Sequence, residues 1–262
     1  MGSAQLQGEL WGRHAATWAA GMERRMAPLF QATLDALAPL AGKRLLDAGC
    51  GAGLAVELAT CAGADATGID ASAGLLDFAS SMTPEATFAV GDIESLEQPD
   101  ATFDIVTAFN AIQYATDPAH AVKELARVCK PGGEVAIGIW GDPERCETEA
   151  LFARLRSLAP PPPGTPAPLA CSNKGVVEDL LTKAGLTIQG GDEVDIVVEL
   201  DNHEQAWRDH TAAGPLQRVI ELAGEDAVRT VLHDVLEADR KPDGRLRQAN
   251  VMRYVIATKP QP

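Results

Sequence analysis

The stretch Leu45-Leu46-Asp47-Ala48-Gly49-Cys50-Gly51-Ala52-Gly53 concentrates the positions best suited to chemistry. An apolar run ends, glycines follow at alternate positions, and a helix-forming run begins at Leu54. Glycine suits such a turn because it adopts positive φ and lets backbone approach a ligand closely. Free amides at the start of the next helix then face a ligand's carboxylate or phosphates. Acids recur downstream at the ends of apolar runs, as Gly68-Ile69-Asp70 and Gly91-Asp92-Ile93. An acid at the first position can accept both hydroxyls of a ribose. One at the second can accept the exocyclic amine of adenine, with Ile93 packed on the ring. Phe109-Asn110 ends a further run beside the same place. A nicotinamide cofactor fits less well, because its fingerprint wants glycine or alanine at the sixth position counted from Gly49, and that position is Leu54.

These residues need elements to hold them. Strands are expected at Arg44–Ala48, Ala66–Ile69, Thr87–Val90, Phe103–Phe109 and Glu134–Trp140. Helices are expected at Leu54–Ala62, Ser72–Ser81 and Pro118–Cys129, with a turn at Lys130–Gly133. Strands alternating with helices imply a parallel, doubly wound sheet with ligands at the carboxyl ends of its strands. Gln5–Leu40 reads as helix, with Pro28 opening a second one. Past Trp140 the rhythm changes: a helix over Glu147–Leu158, a stiff proline-rich connector over Ala159–Pro168, a helix over Lys174–Ala184 stopped by Gly185, and a strand within Leu186–Leu200. Helices follow over Asn202–Glu237, and a strand closes at Val251–Ala257. The late helices thus interrupt two strands and, with the N-terminal helices, can cover the mouth of the sheet.

Bulk properties narrow the classes. The 262 residues are 46% hydrophobic and carry a formal net charge of -15. Such a surface repels phosphate backbones and anionic lipids, so neither nucleic acid nor membrane is an expected partner. Arg240, Lys241, Arg245 and Arg247 are interrupted by Asp239 and Asp243 and read as solvated surface. The five cysteines form no C-x-x-C pair, so neither a zinc site nor a disulfide framework is suggested, and reduced thiols in a cytoplasmic protein are expected. No ligand set for a metal is apparent. The sequence does not set the oligomeric state.

Lys43–Gly141 resembles a class I S-adenosylmethionine (SAM)-dependent methyltransferase of the type shared with ubiquinone and menaquinone biosynthesis. The resemblance rests on Leu46–Gly53, Gly68-Ile69-Asp70, Gly91-Asp92-Ile93, Phe103-Asp104 and Leu125–Gly133, five motifs in the same order. It implies a Rossmann-like, doubly wound, mostly parallel seven-stranded α/β sheet whose last strand is antiparallel. The corresponding divisions are an N-terminal helical cap (1–40), a SAM-binding core (41–141), a connector with helix and sixth strand (142–200), a helical cap insertion (201–247) and a closing strand with tail (248–262). It further implies that Gly49 and Gly51 contact the methionine part of SAM, that Asp70 with Ala71 takes the ribose, and that Asp92 with Ile93 holds adenine. Asn110 lies beside the methionine moiety, and Trp18 matches an aromatic that reaches its carboxylate. The implied activity is methyl transfer to the O, N or C atom of a small biosynthetic or secondary metabolite.

Methyl transfer from a sulfonium is an in-line displacement, and a base is needed only where the acceptor must lose a proton. For a hydroxyl acceptor the candidate bases are His14 and His210. His14 shares a helical face with Trp11 and Trp18, and His210 follows His203 and Trp207 at helical spacing. Asp104 reads as structural, and Asp47 as a residue that fixes the loop through backbone hydrogen bonds. The strongest rival reading is a SAM-fold protein repurposed for cyclisation or decarboxylation.

Overall fold

The computed structural model describes residues 3–160, 169 and 171–261, so most of the expected proline-rich connector lies outside the described residues. Before the sheet come α1 (Ala4–Gly12), α2 (Ala15–Trp18), a π-helical turn over Ala19–Glu23 and α3 (Ala27–Ala36). The alternating core runs β1 (Arg44–Ala48), α4 (Leu54–Cys61), β2 (Asp65–Asp70), α5 (Ala73–Met82), β3 (Thr87–Val90), β4 (Phe103–Phe109), α6 (Pro118–Val128) and β5 (Cys129–Trp140). Then follow α7 (Thr148–Leu158), α8 (Val176–Lys183), β6 (Thr187–Leu200), α9 (His203–Thr211), α10 (Gly214–Ala223), α11 (Glu225–Ala238) and β7 (Leu246–Thr258).

The seven strands form one sheet in the order β3-β2-β1-β4-β5-β7-β6. The β1–β5 neighbours pair in parallel, and β7 runs antiparallel to both β5 and β6. This is the expected doubly wound α/β sheet. Its strands alternate between two apolar faces, as the period of two requires. Leu46, Val106, Val135 and Ile137 join Val122 and Leu125 of α6 and Val177 and Leu181 of α8 on one face. Leu45, Ile105 and Ala136 join Val56 and Ala59 of α4 and Leu34 of α3 on the other.

Local chemistry sets the boundaries. Pro118 opens α6, and Asp117 caps it by accepting from the Ala119 and His120 amides at 3.0 and 3.1 Å. Ser72 caps α5 through the Leu75 amide. The expected turn at Lys130–Gly133 is a correction of detail. Cys129 already pairs with Phe103, so β5 starts before the glycines and absorbs Gly132, at φ 78°, as an irregularity. β7 likewise begins at Leu246, ahead of the expected Val251, because β6 and β7 stay paired beyond the end of β5. Trp140 pairs with Met252, whereas β6 follows β7 on to Leu246. That ribbon projects past the carboxyl edge of the sheet and carries α9–α11 on it.

The late helices have a core of their own. Leu151 and Leu155 of α7 pack with Leu216 of α10, Val228, Leu232 and Val235 of α11 and Val198 and Leu200 of the ribbon. Among the described residues, no helix is long and apolar enough to cross a membrane.

Arg127 shows how a polar group ties a crossover down. Its guanidinium donates to the carbonyls of Leu96 and Gln98, both at 2.8 Å, and pairs with Glu124 and Asp100, both at 2.7 Å. Replacing Arg127 with Ala leaves those carbonyls short of a donor. We expect Arg127→Ala to lower stability to urea by about 1.5–3 kcal/mol, the range for hydrogen bonds to a charged group. Arg127→Lys keeps the charge but not the planar fork, so it should recover only part of this.

Candidate functional site

The loop after β1 turns through three left-handed glycines, Gly49 at φ 80°, Gly51 at 58° and Gly53 at 89°. Crowding adds to the requirement for glycine. A Cβ at Gly49 would collide with the Ala111 methyl, and one at Gly53 would lie 2.7 Å from the Ala79 methyl. The amides of the loop itself, from Gly49 to Gly53, are not free. Gly49 and Cys50 donate to the Ile69 carbonyl at 2.7 and 3.0 Å, and Gly53 donates to Cys50 at 3.0 Å. Gly51 donates to Asp70 Oδ2 and Ala52 to Glu23 Oε1, each at 2.9 Å. The chain's own carboxylates therefore occupy the positions an anionic ligand would seek.

Asp70 spends its two oxygens evenly. Oδ2 takes the Gly51 amide and Oδ1 the Ser72 amide at 2.8 Å. Each oxygen retains acceptor capacity, enough for two neighbouring hydroxyls. Asp92 Oδ1 accepts the Glu94 amide at 2.9 Å. Asp47 is buried beneath the loop, and its Oδ1 accepts from the Thr107 hydroxyl at 2.7 Å, so a side chain rather than backbone amides holds it. Asn110 takes the left-handed conformation at φ 49°, uncommon for a residue other than glycine. Its amide donates to the Gly138 carbonyl at 2.8 Å. Asp104 sits at the far end of β4, bound to the Arg44 amide and the Lys130 ammonium, a structural arrangement as read from sequence.

One cavity gathers these groups. Trp18, Gly49, Gly51, Asp70, Ala71, Asp92, Ile93 and Asn110 all line it, together with Glu23 and Asp47. Its outer wall comes from the N-terminal helices and the late insertion. Trp11 meets Trp18 edge-on at 4.7 Å and Tyr114 at 5.6 Å. Gly8 and Gly12, one turn apart on α1, let that helix lie against the loop after β2. A Cβ at Gly8 would collide with the Ala71 carbonyl oxygen, and one at Gly12 would meet the Ser72 hydroxyl at 2.8 Å.

The histidines separate. His210 is 4% exposed and lines the cavity, whereas His14 is exposed and is not among the lining residues. The shared face expected of Trp11, His14 and Trp18 fails because the helix breaks between α1 and α2, where His14 leaves helical geometry at φ -131° and ψ 39°. His203 and Trp207, on the same face of α9, are not among the cavity's lining residues. His203 pairs with Glu237 and stacks on His233 at 4.3 Å, and Arg229 lies 4.2 Å over the Trp207 ring. His203, His233 and Glu237 place ligand atoms within 4.8 Å of one another, a grouping the sequence reading missed. The Arg240 guanidinium already occupies that carboxylate.

Glu23 is the functional group that sequence reasoning missed. In sequence it stands directly before Arg24 and Arg25 and so reads as one of a run of solvated charges. Burial pushes its carboxyl up to about 8, with Asp47 and Asp70 adding repulsion against the pull of the loop amides. Burial likewise raises Asp47 to about 7 and Asp70 to about 6. Three such acids around one loop favour a cation beside it.

The same shifts fix a pH dependence. A carboxyl whose folded pKa lies above its unfolded value contributes stability below the unfolded pKa and loses it as pH rises through the folded one. His210 acts in the opposite sense below its ordinary 6.5, because burial lowers it. Above that pH the acids dominate. We expect the unliganded protein's melting temperature to fall between about pH 6.5 and 8, and Glu23→Gln to flatten that fall. A melting temperature flat in wild type over this interval would refute the buried-acid account.

Similarity to known proteins agrees with this geometry. Residues 46–137 match the methyltransferase domain family. The ubiquinone biosynthesis O-methyltransferase of Paracidovorax citrulli is 39% identical over 114 residues, covering 41% of this chain and 48% of that protein. The chain thus spans about half the length of the curated relatives it matches. Among solved structures, the YcgJ protein of Bacillus subtilis superposes with a TM-score of 0.62 at 23% identity, over 89% of this chain and 98% of that one. The [4+2]-cyclase SpnF superposes with a TM-score of 0.57 at 21% identity, over 89% and 81%. At those identities the likeness is one of fold. Taken with the sheet order and the glycine loop, the match places residues 46–137 in the class I SAM-dependent methyltransferase superfamily.

Proposed function

We propose that the protein transfers a methyl group from SAM to a small-molecule acceptor. The observation that carries this reading is the convergence of Trp18, Gly49, Gly51, Asp70, Ala71, Asp92, Ile93 and Asn110 on one cavity at the carboxyl ends of the strands. Its electrostatics suit the cofactor. SAM carries a sulfonium and an ammonium, and the lining includes Glu23, Asp47, Asp70 and Asp92 but, among the described residues, no Lys or Arg. The occupied loop amides turn the glycine loop toward the ammonium end of the methionine moiety rather than its carboxylate.

Bound there, SAM supplies an electrophilic methyl on a positively charged sulfur. Asp70 uses its remaining acceptor sites on the ribose hydroxyls, and Asp92 takes the adenine amine with Ile93 against the ring. Gly49 and Gly51, having no side chains, allow close approach. Trp18 and Trp11 cover the bound cofactor, and aromatic faces favour a nearby cation. The helices before β1 and those between β6 and β7 act as the cap that excludes water and aligns the acceptor for in-line attack. Nothing in this reading requires a metal.

Calorimetry tests it directly. SAM and S-adenosylhomocysteine should bind at micromolar affinity and NAD should not. Asp70→Ala should weaken SAM by about 1.5–3 kcal/mol, roughly 10- to 150-fold. Absence of SAM binding would overturn the proposal. Turnover yielding S-adenosylhomocysteine separates methyl transfer from a repurposed, non-methylating use of the same fold.

A further inference from the structure

Away from the cavity, His203, His233 and Glu237 bring two imidazoles and a carboxylate together among the late helices, and none of the three lines the cavity. His233 and Glu237 stand four positions apart on α11, so one face of that helix carries both. His203 is the first residue of α9, a start fixed by Asn202, whose side chain accepts the Gln205 amide at 2.9 Å. Ala206 of α9 shares one core with Val228, Leu232 and Leu236 of α11, so the two helices are held together beneath these side chains. The side chains themselves keep access to solvent, at 29% for His203, 57% for His233 and 37% for Glu237.

The donor set has the chemistry of a metal site. One ligand atom from each residue lies within 4.8 Å of the other two. Ligands of Zn2+ stand about 2.0–2.2 Å from the ion, hence within about 4.4 Å of one another, so the three side chains need to close only slightly. Imidazole nitrogen with one carboxylate oxygen suits zinc rather than magnesium or calcium, which take oxygen throughout. Arg240 shows what the place attracts. Its Nη2 donates to Glu237 Oε1 and lies 3.4 Å from His203 Nε2, so a positive group stands between two of the three acceptors. Its Nε holds Glu237 Oε2 at 2.9 Å. The guanidinium is 39% exposed, so Nη2 can yield Oε1 to an ion while Nε stays on the second oxygen, as outer partners of metal ligands do.

We propose that His203, His233 and Glu237 bind a zinc ion, with water completing its coordination, and that the ion staples α9 to α11 outside the cavity. His203 and Glu237 lie 34 positions apart, with α10 between them, so the ion closes a loop within the late helices. It binds the folded arrangement of α9 on α11 and therefore stabilises it by mass action. The guanidinium of Arg240 competes for the same oxygen, so removing it strengthens the site. The proposal stands apart from the methyltransferase reading and survives or fails without it.

The test uses the full, tag-free chain, stripped with EDTA and titrated by calorimetry at pH 7.5 with zinc chloride and, in parallel, magnesium chloride. We expect zinc to bind with a Kd below about 100 µM and magnesium not to bind. His203→Ala and His233→Ala should each weaken zinc by roughly 10-fold or more, and Arg240→Ala should tighten it by roughly three-fold. Zinc in excess should raise the wild-type melting temperature by roughly 5 °C and leave that of His233→Ala within about 1 °C. His233 is the most exposed of the three, and circular dichroism of the metal-free variant checks that its fold is kept. Cobalt chloride in place of zinc should give a visible absorption band that His233→Ala lacks. A wild-type zinc Kd above about 100 µM, or equal zinc binding by wild type and both histidine variants, would overturn the site. Unchanged or weaker binding by Arg240→Ala would overturn the displacement of the guanidinium on which it depends.

Discussion

The loop between β1 and α4 is held by carboxylates reaching in from two directions, and much of the molecule is arranged around that grip. Asp70 arrives from the end of β2 and Glu23 from the N-terminal helices, and each takes one backbone amide of the turn. Asp47 supports the turn from below through Thr107. Gathering three acids in a buried place is costly when the site is empty, since each is pushed toward its neutral form. The same arrangement is favourable beside a cation. The N-terminal helices are thereby more than a cover: Glu23 makes them part of the floor on which a ligand would rest.

The cavity accordingly has two chemical ends. Toward the glycine loop it is acidic and rich in backbone fixed by positive φ. Toward β5, α7 and α10 its lining is largely apolar, from Trp140, Phe152 and Leu216. The first end belongs to strands whose order and spacing are set by the sheet. The second belongs to helices with a separate core, attached through the β6–β7 ribbon. A division of this kind lets binding of a common cofactor and choice of acceptor be settled by different parts of the chain.

The sheet was legible in the sequence because its signals are local. β3 and β4 fall where the apolar runs end, and Pro118, Ser72 and Gly185 mark boundaries that the structure keeps. Asp70, Asp92 and Asn110 could be found because strand ends converge on one edge, a property of the topology. What escaped was contact between segments far apart in the chain. Glu23 reaches a loop 29 positions away, and no periodicity records that. His14 was misplaced by a helix break that has neither proline nor glycine at its centre. The glycine spacing suggested free amides, but whether an amide is free depends on acceptors that other segments bring. His203 and His210 share a helical face yet meet different neighbours, since they lie two turns apart along the axis and only the second reaches the cavity.

The strand order carries a consequence for how the chain assembles. β7 lies between β5 and β6, although β6 precedes it in sequence. Until β7 is available, β6 has no partner and β5 presents an unpaired edge, so an emerging chain completes every parallel pair before it can close this side of the sheet. Closure then joins residues separated by the whole of α9–α11, a large loop to order in one step. Synthesis therefore passes through a stage in which a finished half-sheet waits with one sticky border exposed, the kind of intermediate that invites aggregation.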